Sequence, residues 1–431
     1  MKQLGEKILQ FETRVEMPAT STTVAAGRTY RAALASGRTH RDQAATHRRV
    51  EIGRFHRMKT DQCMYIYRDA RGREMLFLSY VDDIILASTD DDLRDEFLDH
   101  LRGMWKITAE GTLDRFLAVN FRRSDDKWGW KATVASYIDK IADRFGLTET
   151  RQYKTPMEPG FVLTEADFDT EPTEEMIHEM RSLIGSISYA TTALRYDVAY
   201  AVSVLSRHLA RPCEKVIAAA KRVIMYLVHT KHFAIKWSSS QEEHDAGTAN
   251  TLVGSVDASF AMDTMTRKSH GGWINFVNSG AVSWKSGLQP IVTLSSCEAE
   301  YVALCAEVCE AMYLRNLLRD LGYEQTDSTL IWEDNQAAIL VAEQECSSAG
   351  RCKHIDVRFR FVADAIKDRV VRVRYTPTDT NMADLFTKPL QQVTFDRLLK
   401  LSLGHKSASM LRGREDMAVA MDSNLFMLVD C

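Results

Sequence analysis

The sequence predicts a multidomain protein of mixed α/β and α+β class. Its 431 residues, 45% of them hydrophobic, are more than one ordinary compact domain holds. Runs of β-branched and aromatic residues alternate with segments of helical periodicity. Polar segments, one of them proline-rich, separate blocks whose patterns differ. We therefore expect, in chain order, a β-rich domain, a helical region, and a mixed sheet with flanking helices.

Charge and cysteine content limit the possible functions. The formal net charge is −4 and the pI is near 6.3, so any contact with nucleic acid must use local patches. The 8 cysteines include no C-x-x-C pair, which favours a reducing, intracellular location. The sequence has neither a long apolar run nor a secretory signal, so we expect a soluble protein with no membrane partner.

The N-terminal segment, residues 1–54, differs in composition from the rest of the chain. Most of it is rich in Arg, Thr and Ala, poor in acids and without sustained apolar periodicity. We expect it to be poorly ordered or degenerate. A transit presequence or a nucleic-acid-binding arm is the alternative, and Glu6 and Glu12 argue against the presequence.

Residues 55–157 form the predicted β-rich domain. The runs CMYIYRD and MLFLSYVDDIILAS are separated by ARGRE, a pattern typical of a hairpin with a glycine-containing turn. The second strand of this hairpin is expected to hold Asp82 and Asp83. Near the end of the domain, YIDKIADRFGL predicts an amphipathic helix that is closed by Gly146.

Residues 158–245 are expected to be a linker followed by a helical connection. Prolines interrupt the chain between 155 and 173, and long helices are predicted to follow. The polar segment SSSQEEHDAGTAN separates these helices from residues 246–404. There the order strand, strand, strand, helix, strand, helix, helix, strand, short helix predicts a mixed α/β domain. Residues 405–431 are a tail to which we assign no role.

Two adjacent carboxylates, Asp82 and Asp83, lie between apolar strands. Charged side chains are costly in such a place unless they are paired or bind a cation. Paired aspartates can hold the divalent ions used in phosphoryl transfer. An acidic hairpin turn is the alternative interpretation.

Four acids in the C-terminal domain follow strands or lie near helix starts. Asp257 and Asp334 come at the ends of apolar strands, while Glu300 and Asp384 lie in the first turns of predicted helices. Each one alone is equally consistent with a turn or cap residue. Together they can converge to hold two metal ions across a scissile phosphate. Helical periodicity does not choose between Glu300 and Glu298, which stays the reserve candidate.

The N-terminal half resembles a known family. The segment FHRMKTDQCMYIY, followed by LSYVDDIILAS and by YKTPM, is similar to the reverse transcriptase of copia-type retrotransposon Pol polyproteins. That resemblance implies a polymerase metal site at Asp82 and Asp83, next to Tyr80. The family's remaining metal-binding aspartate lies on an earlier palm strand, which nothing before Phe55 resembles. We therefore expect a partial palm and thumb domain that does not polymerise DNA alone.

The C-terminal half resembles the ribonuclease H domain of the same elements. The blocks SVDASF, GAVSWKS, LSSCEAEYVAL, EDNQAAI, KHIDVRFRF and YTPT with MADLFTKPL follow its order. The resemblance implies hydrolysis of the RNA strand of RNA-DNA hybrids with two Mg²⁺ or Mn²⁺ ions. The expected partners are the hybrid, template RNA, cDNA and other polyprotein products, in the cytoplasm, virus-like particles or nucleus. The implied catalytic residues and metal ligands are Asp257, Glu300, Asp334 and Asp384.

The segments at 181–212 and 219–230 resemble the part of the family that joins the polymerase to the nuclease. Tyr196 stands there in place of the usual proline. His354 matches a family motif, but the sequence assigns it no role. A zinc site made by His354 with Cys346 and Cys352 lacks a second convincing ligand pair, and we set it aside.

Three alternative functions stay open at this point. They are an inactive remnant that binds nucleic acid, a polymerase completed by another chain, and a DNA-processing enzyme of the same fold. The intact acids argue against the first, the missing palm strand against the second, and the reverse transcriptase blocks against the third. Some side chains of this domain could contact nucleic acid, namely Trp273, Trp284, Lys285, Lys353 and Arg358. Tryptophans, however, are more typical of hydrophobic cores.

Overall fold

The computed structural model describes residues 9–15, 55–104, 106–124, 129–148, 151–240, 243, 249–343 and 353–403. Within these ranges, the side chains of 9–15, 108–110 and 353–356 are outside the description. The chain divides into two compact units, Met1–Leu117 with Asp320–Gly322, and Ala118–Arg319 with Tyr323–Cys431. Apart from one strand, the predictions for 1–54 fall outside the described residues, as do those for 405–431.

Within its described residues, the first unit contains a six-stranded antiparallel sheet and one helix. The strands are β1 (Leu9–Val15), β2 (Phe55–Arg57), β3 (Met64–Arg68), β4 (Glu74–Tyr80), β5 (Asp83–Ser88) and β6 (Ile107–Thr112), followed by the short β7 (Arg115–Phe116). They pair in the order β2-β3-β4-β5-β1-β6. Alternate side chains such as Tyr65, Phe77 and Leu86 are buried, because successive residues of a strand point to opposite faces. Helix α1 (Asp91–Met104) adds Leu93 and Leu98 to the same hydrophobic cluster.

The run that contains the paired aspartates differs from its prediction. We expected MLFLSYVDDIILAS to form a single strand, but it forms two, β4 and β5, in which Tyr80 pairs with Asp83. Asp82 therefore lies in the tight turn between them, and Asp83 is the first residue of β5. The preceding residue, Val81, has a φ of 54°, a strained conformation for a β-branched side chain. Hydrophobic patterning did not reveal this turn because the run contains neither Gly nor Pro.

The second unit begins with three antiparallel strands in the order β10-β9-β8 and a set of helices. The strands are β8 (Val119–Arg123), β9 (Gly129–Thr133) and β10 (Ile235–Ser238). The helices are α2 (Ala135–Phe145), α3 (Glu174–Ala193), α4 (Ala199–Ser206) and α5 (Glu214–His229). As predicted, α2 ends at Gly146, whose φ of 66° is the left-handed conformation typical of helix ends. Helix α3 begins after Thr173, whose side chain accepts a hydrogen bond from the Met176 N–H.

A buried ion pair connects these helices. The Arg195 guanidinium donates to both carboxylate oxygens of Asp197, at 2.9 and 2.7 Å, and both side chains are inaccessible to solvent. The Tyr226 hydroxyl donates to Asp197 Oδ2 at 2.7 Å, and Arg195 also donates to Thr230. Since every charged atom of the pair has partners, the burial of these charges is tolerated.

The second unit then builds a five-stranded mixed sheet. Its strands are β11 (Val253–Ser259), β12 (His270–Val277), β13 (Gly280–Leu288), β14 (Thr329–Glu333) and β15 (Val371–Tyr375), in the order β13-β12-β11-β14-β15. The first three pair antiparallel, and β14 pairs parallel with β11 and β15. The flanking elements are α6 (Ser296–Asp320), α7 (Gln336–Glu343), α8 (Lys353–Lys367), 3₁₀ segments Thr378–Thr380 and Met382–Phe386, and α9 (Gln392–Leu403). The predicted succession of elements and the fold class are confirmed.

One hydrophobic cluster joins the helical region to this mixed sheet. It contains Leu227 of α5, Ile274 of β12 and Phe386 of the second 3₁₀ segment, all buried. Tyr196 lies in the same cluster, and its hydroxyl is 2.9 Å from the Ser402 Oγ. This core crosses the predicted boundary at 245, and the domain boundaries stay predictions. Of the helices that the structure describes, none is long and apolar enough to cross a membrane.

Candidate metal centre

Asp257 lies near the end of the central strand of the mixed sheet. Its side chain is 2% exposed, although carboxylates are rarely buried without partners. The opposite residue on β12 is Gly272, and a side chain there would overlap Phe386. The Thr387 hydroxyl donates a hydrogen bond to Asp257 Oδ2. The residues that follow the Met382–Phe386 segment are thus held directly against the carboxylate of Asp257.

Asp334 lies beside Asp257 because their strands are parallel. The β11–β14 register pairs Ser255 with Trp332, and two residues further along the chain in each case are Asp257 and Asp334, the latter directly after β14. The carboxyl ends of parallel strands are where open α/β sheets place their ligands. Burial raises the pKa of Asp334, and the negative charge of Asp257 adds to this effect, whereas a hydrogen bond from Thr378 opposes it.

Glu300 reaches the same place from helix α6. Its side chain is 6% exposed, and its Oε2 has no hydrogen-bond partner among the described residues. Burial and the neighbouring carboxylates, Glu333 first and then Asp257, raise its pKa to about 11. The reserve candidate Glu298 lies instead at the start of the helix, where its Oε2 accepts from the Leu294 N–H at 2.6 Å. Glu300, and not Glu298, is therefore the glutamate of the cluster.

Three of the four predicted acids meet at one point. One carboxylate oxygen from each of Asp257, Glu300 and Asp334 lies within 4.8 Å of the other two. These residues come from two strand ends and a helix that are far apart in the sequence. The fold thus concentrates negative charge where two strand ends meet a helix.

Asp384 joins the cluster from the second 3₁₀ segment. This segment is anchored to the sheet by Asn381, whose Nδ2 donates to the Val256 carbonyl at 2.9 Å and whose Oδ1 accepts from Ser255 at 2.6 Å. Asp384 is buried, and its pKa is raised to about 8 by burial and by the charge of Asp257, with Lys388 acting in the opposite direction. Lys388 contacts both Asp384 and Asp257, so Asp384 lies next to the group of three acids.

The structure adds two residues that sequence reasoning missed. Glu333 is completely buried next to Asp334; its Oε1 accepts from the Asn335 N–H at 2.9 Å. Its Oε2 lacks a hydrogen-bond partner in the described part of the chain, and burial raises its pKa well above the usual range. Lys388 places its Nζ 2.7 Å from Asp384 Oδ1 and 3.5 Å from Asp257 Oδ2. The spacing of four residues between Asp384 and Lys388 was the available signal for the lysine.

These residues fit divalent metal ions. Hard cations such as Mg²⁺ and Mn²⁺ prefer carboxylate oxygens, and Asp257, Glu300 and Asp334 each offer one. Among the described residues, Glu333 and Asp384 add carboxyl groups beside these three, and Lys388 adds a cation. Two carboxylate oxygens, on Glu300 and Glu333, are buried and lack hydrogen-bond partners within the described residues. A divalent ion bound beside these carboxyl groups would supply the missing partner and would favour their ionised forms.

The other predicted residues lie elsewhere. Tyr80 and Asp82 are exposed at the β4–β5 turn, and Asp83 lies beside them. Among the described residues, the cluster of possible metal ligands consists of Asp257, Glu300 and Asp334 and does not include these aspartates. Trp273 is buried with the Lys285 ammonium 5.1 Å from its ring centre. Trp284 donates its indole N–H to the Thr191 carbonyl at 3.1 Å. The side chains of Lys353 and His354, and all of Cys346 and Cys352, are outside what the structure describes; Arg358 lies on α8.

The chain is similar to reverse transcriptases and to retrotransposon polyproteins. Residues 44–159 match the family model for reverse transcriptase (RNA-dependent DNA polymerase). The Retrovirus-related Pol polyprotein from transposon TNT 1-94 of Nicotiana tabacum is 28% identical over 340 residues, 78% of this chain and 25% of that protein. The corresponding protein from transposon RE1 of Arabidopsis thaliana is 29% identical over 75% of this chain and 21% of its own length. The Transposon Ty1-DR5 Gag-Pol polyprotein of Saccharomyces cerevisiae is 25% identical over 74% of this chain and 18% of its own length.

The chain spans a quarter or less of the length of these relatives. Among solved structures, LC11-RNase H1 in complex with RNA/DNA hybrid is similar with 13% identity and a TM-score of 0.24, covering 32% of this chain and 94% of that one. The foamy viral protease-reverse transcriptase in complex with double-stranded DNA has 10% identity and a TM-score of 0.18, and the match covers 89% of this chain and 61% of that one. TM-scores this low do not define the fold of this chain, which its strand order and pairing define.

Proposed function

We propose that this chain, a relative of the Pol polyproteins of copia-type retrotransposons, hydrolyses the RNA strand of RNA-DNA hybrids. The observation that carries the proposal is the convergence of Asp257, Glu300 and Asp334, whose ligand atoms lie within 4.8 Å of one another. Structural acids at turns and helix caps have no reason to gather in this way. The resemblance of the surrounding sequence blocks to ribonuclease H names the reaction class.

In this proposal Asp257, Glu300, Asp334 and Asp384 hold two Mg²⁺ or Mn²⁺ ions. When bound, such ions lower the pKa of water and neutralise charge on the scissile phosphate and the departing 3′ oxygen. The chain's own residues orient the ligands. The Thr387 hydroxyl fixes the Asp257 carboxylate, and Asn381 ties the segment that carries Asp384 to strand β11. Burial of the acids excludes water that would screen their charge.

The proposed substrate is inferred from the resemblance of the sequence blocks to ribonuclease H, and not from contacts that read the base sequence. Enzymes that act on hybrids recognise minor-groove width and 2′-hydroxyl groups instead of base sequence. Template RNA paired with cDNA is the hybrid that a retrotransposon makes. We therefore propose this hybrid as the partner and the interior of the cell as the place of reaction.

For the polymerase part we propose a more limited role. Residues 44–159 match reverse transcriptase, and the paired aspartates lie at an exposed turn. We propose that Asp82 and Asp83 correspond to the polymerase metal ligands and that they do not support DNA synthesis by this chain alone. The further proposed divisions are residues 55–157, the connection at 158–245 and the nuclease at 246–404.

The test is cleavage of a labelled RNA-DNA hybrid by the full chain with Mg²⁺ or Mn²⁺, since the nuclease shares a core with the preceding helices. The Asp257→Asn variant should lose activity at least 100-fold. The control Asp379→Asn changes an exposed aspartate in the same C-terminal segment and should retain activity. Double-stranded DNA and RNA should not be cut. If the wild-type chain binds the hybrid without cutting it, or if Asp257→Asn cuts it equally well, the assignment fails and an inactive binding protein is the better description.

A further inference from the structure

Lys388 occupies the acid cluster in a way that the proposed chemistry does not explain. It follows the Met382–Phe386 segment, and its ammonium lies 2.7 Å from Asp384 Oδ1 and 3.5 Å from Asp257 Oδ2. The side chain of Lys388 is 28% exposed, whereas those of its partners Asp257 and Asp384 are 2% and 6% exposed. Lys388 thus bridges acids from two separate elements, β11 and the 3₁₀ segment.

The charges in the cluster require such a bridge. Buried carboxylates that lie close together repel one another, and each raises the free energy of the ionised form of its neighbour. In the described part of the chain, Asp257 and Asp384 both form an ion pair with Lys388. A single positive charge between two carboxylates offsets part of their repulsion and keeps their oxygens facing the same point.

A lysine is suited to a bridge that has to open. Its ammonium is a compact charge on a flexible four-carbon chain and is strongly hydrated, so it can move to solvent without a rearrangement of the backbone. A divalent ion held by Asp257 and Asp384 would compete for the same carboxylate oxygens. Two cations at these oxygens repel each other, so the binding of one disfavours the other.

We propose that Lys388 is a positioning residue that holds Asp257 and Asp384 together in the metal-free protein and leaves them when a divalent ion binds. The inference rests on the proposed metal centre and deepens it. Lys388 serves as a removable counter-ion that preserves the arrangement of the acids between metal-binding events. Metal affinity is thereby reduced, and the stability of the metal-free protein is increased.

The test measures Mn²⁺ binding to the full chain by calorimetry, without nucleic acid, together with thermal unfolding in a chelator. Lys388→Met should bind Mn²⁺ about tenfold more tightly than the wild type, because the competing charge is gone. It should also unfold at a lower temperature in the chelator and gain more from added Mn²⁺. Lys388→Arg, which retains a cation, should keep the metal-free stability closer to that of the wild type. The control Lys221→Met removes a partly exposed lysine paired with Glu179 at 2.7 Å and should leave Mn²⁺ affinity unchanged.

The outcomes separate this inference from the proposed function. If Mn²⁺ binding is lost in Asp257→Asn but Lys388→Met binds Mn²⁺ no more tightly than the wild type, the counter-ion role is wrong and the metal centre stands. If Asp257→Asn binds Mn²⁺ as well as the wild type does, the metal centre itself is wrong and the role of Lys388 falls with it. Tighter binding by Lys388→Met with lower stability in the chelator supports both.

Discussion

Glu307 offers a measurable pH effect outside the metal centre. It lies on helix α6 and is completely buried against the mixed sheet, where Gly254 leaves no room for another side chain. Its Oε2 accepts one hydrogen bond, from Asn275 Nδ2 at 3.2 Å, while within the described residues Oε1 has no partner. Burial therefore raises the pKa of Glu307 well above its usual value, so the folded protein favours the protonated carboxyl over a pH range in which the unfolded chain ionises it.

The sign of the effect follows from proton binding. Above pH ~4.3 the unfolded chain ionises Glu307, whereas the folded chain retains the proton. The folded state thus binds more protons, and the free energy of unfolding falls by about 1.4 kcal/mol for each pH unit. Between pH 5 and pH 7 the loss from this one group is about 2.7 kcal/mol. The contribution is fully present below the unfolded pKa and is lost as pH rises towards the folded pKa.

The perturbation is Glu307→Gln, which has nearly the same shape and cannot ionise. Its amide is able to donate to Asn275 Oδ1, which has no partner within the described residues. Relative to the wild type, the variant should gain about 2.7 kcal/mol in the free energy of unfolding between pH 5 and pH 7. Urea unfolding of both proteins at several pH values measures this difference. His270, whose pKa is lowered to about 4 by burial, also contributes to the pH dependence, but it is present in both proteins and cancels.

A matched control is Glu343→Gln, which changes an exposed glutamate paired with Arg374 at 3.2 Å. It should leave the pH dependence of stability unchanged. If Glu307→Gln shows the same loss of stability with rising pH as the wild type, Glu307 is not held neutral and the reasoning about its burial is refuted.

Two further substitutions test the fold and the centre. Arg195→Met leaves the buried Asp197 carboxylate without its guanidinium partner and should lower the free energy of unfolding by about 3–5 kcal/mol in urea titrations; a change below about 1 kcal/mol would show that the pair is not important for stability. Glu333→Gln replaces a carboxyl beside Glu300 that can ionise when a metal ion binds by an amide that cannot, and should weaken Mn²⁺ binding about tenfold in calorimetry, with unaltered affinity as the contrary result.

The proximity of Asp257 and Asp334 could be predicted from the sequence, because strand geometry determines it. Asp257 and Asp334 each follow an apolar run, and adjacent parallel strands bring such positions together. Periodicity could not choose between Glu298 and Glu300, because both flank the apolar stripe of the helix. The choice depends on tertiary packing, in which Glu298 binds the Leu294 N–H and Glu300 faces the sheet.

Glu333 and Lys388 were not identified from the sequence for a different reason. A glutamate inside an otherwise apolar strand and a lysine after a short helix are each common as solvated residues. Their importance follows from burial and from the charges that surround them, which only the assembled fold supplies. Tertiary packing also matters for the helical connection. The polar segment at 238–250 predicted a domain boundary, which stays a prediction, and Leu227 and Ile274 on either side of this segment lie in one hydrophobic core.

The turn at Val81 and Asp82 shows the same limit on a smaller scale. Alternating apolar residues predicted a continuous strand, and neither residue is a preferred breaker of strands. The structure nevertheless pairs Tyr80 with Asp83 and places Val81 at a φ of 54°. Local strain of this kind is fixed by the rest of the sheet and leaves no mark in the pattern.

Carboxylates from separate elements of the fold are proposed to bind divalent cations together. Anomalous diffraction from crystals of the full chain soaked in Mn²⁺ would show such binding directly. We expect a manganese peak contacted by Asp257 and at least one of Glu300, Asp334 and Asp384. Crystals in which these side chains are ordered, and in which manganese binds only elsewhere, would contradict it.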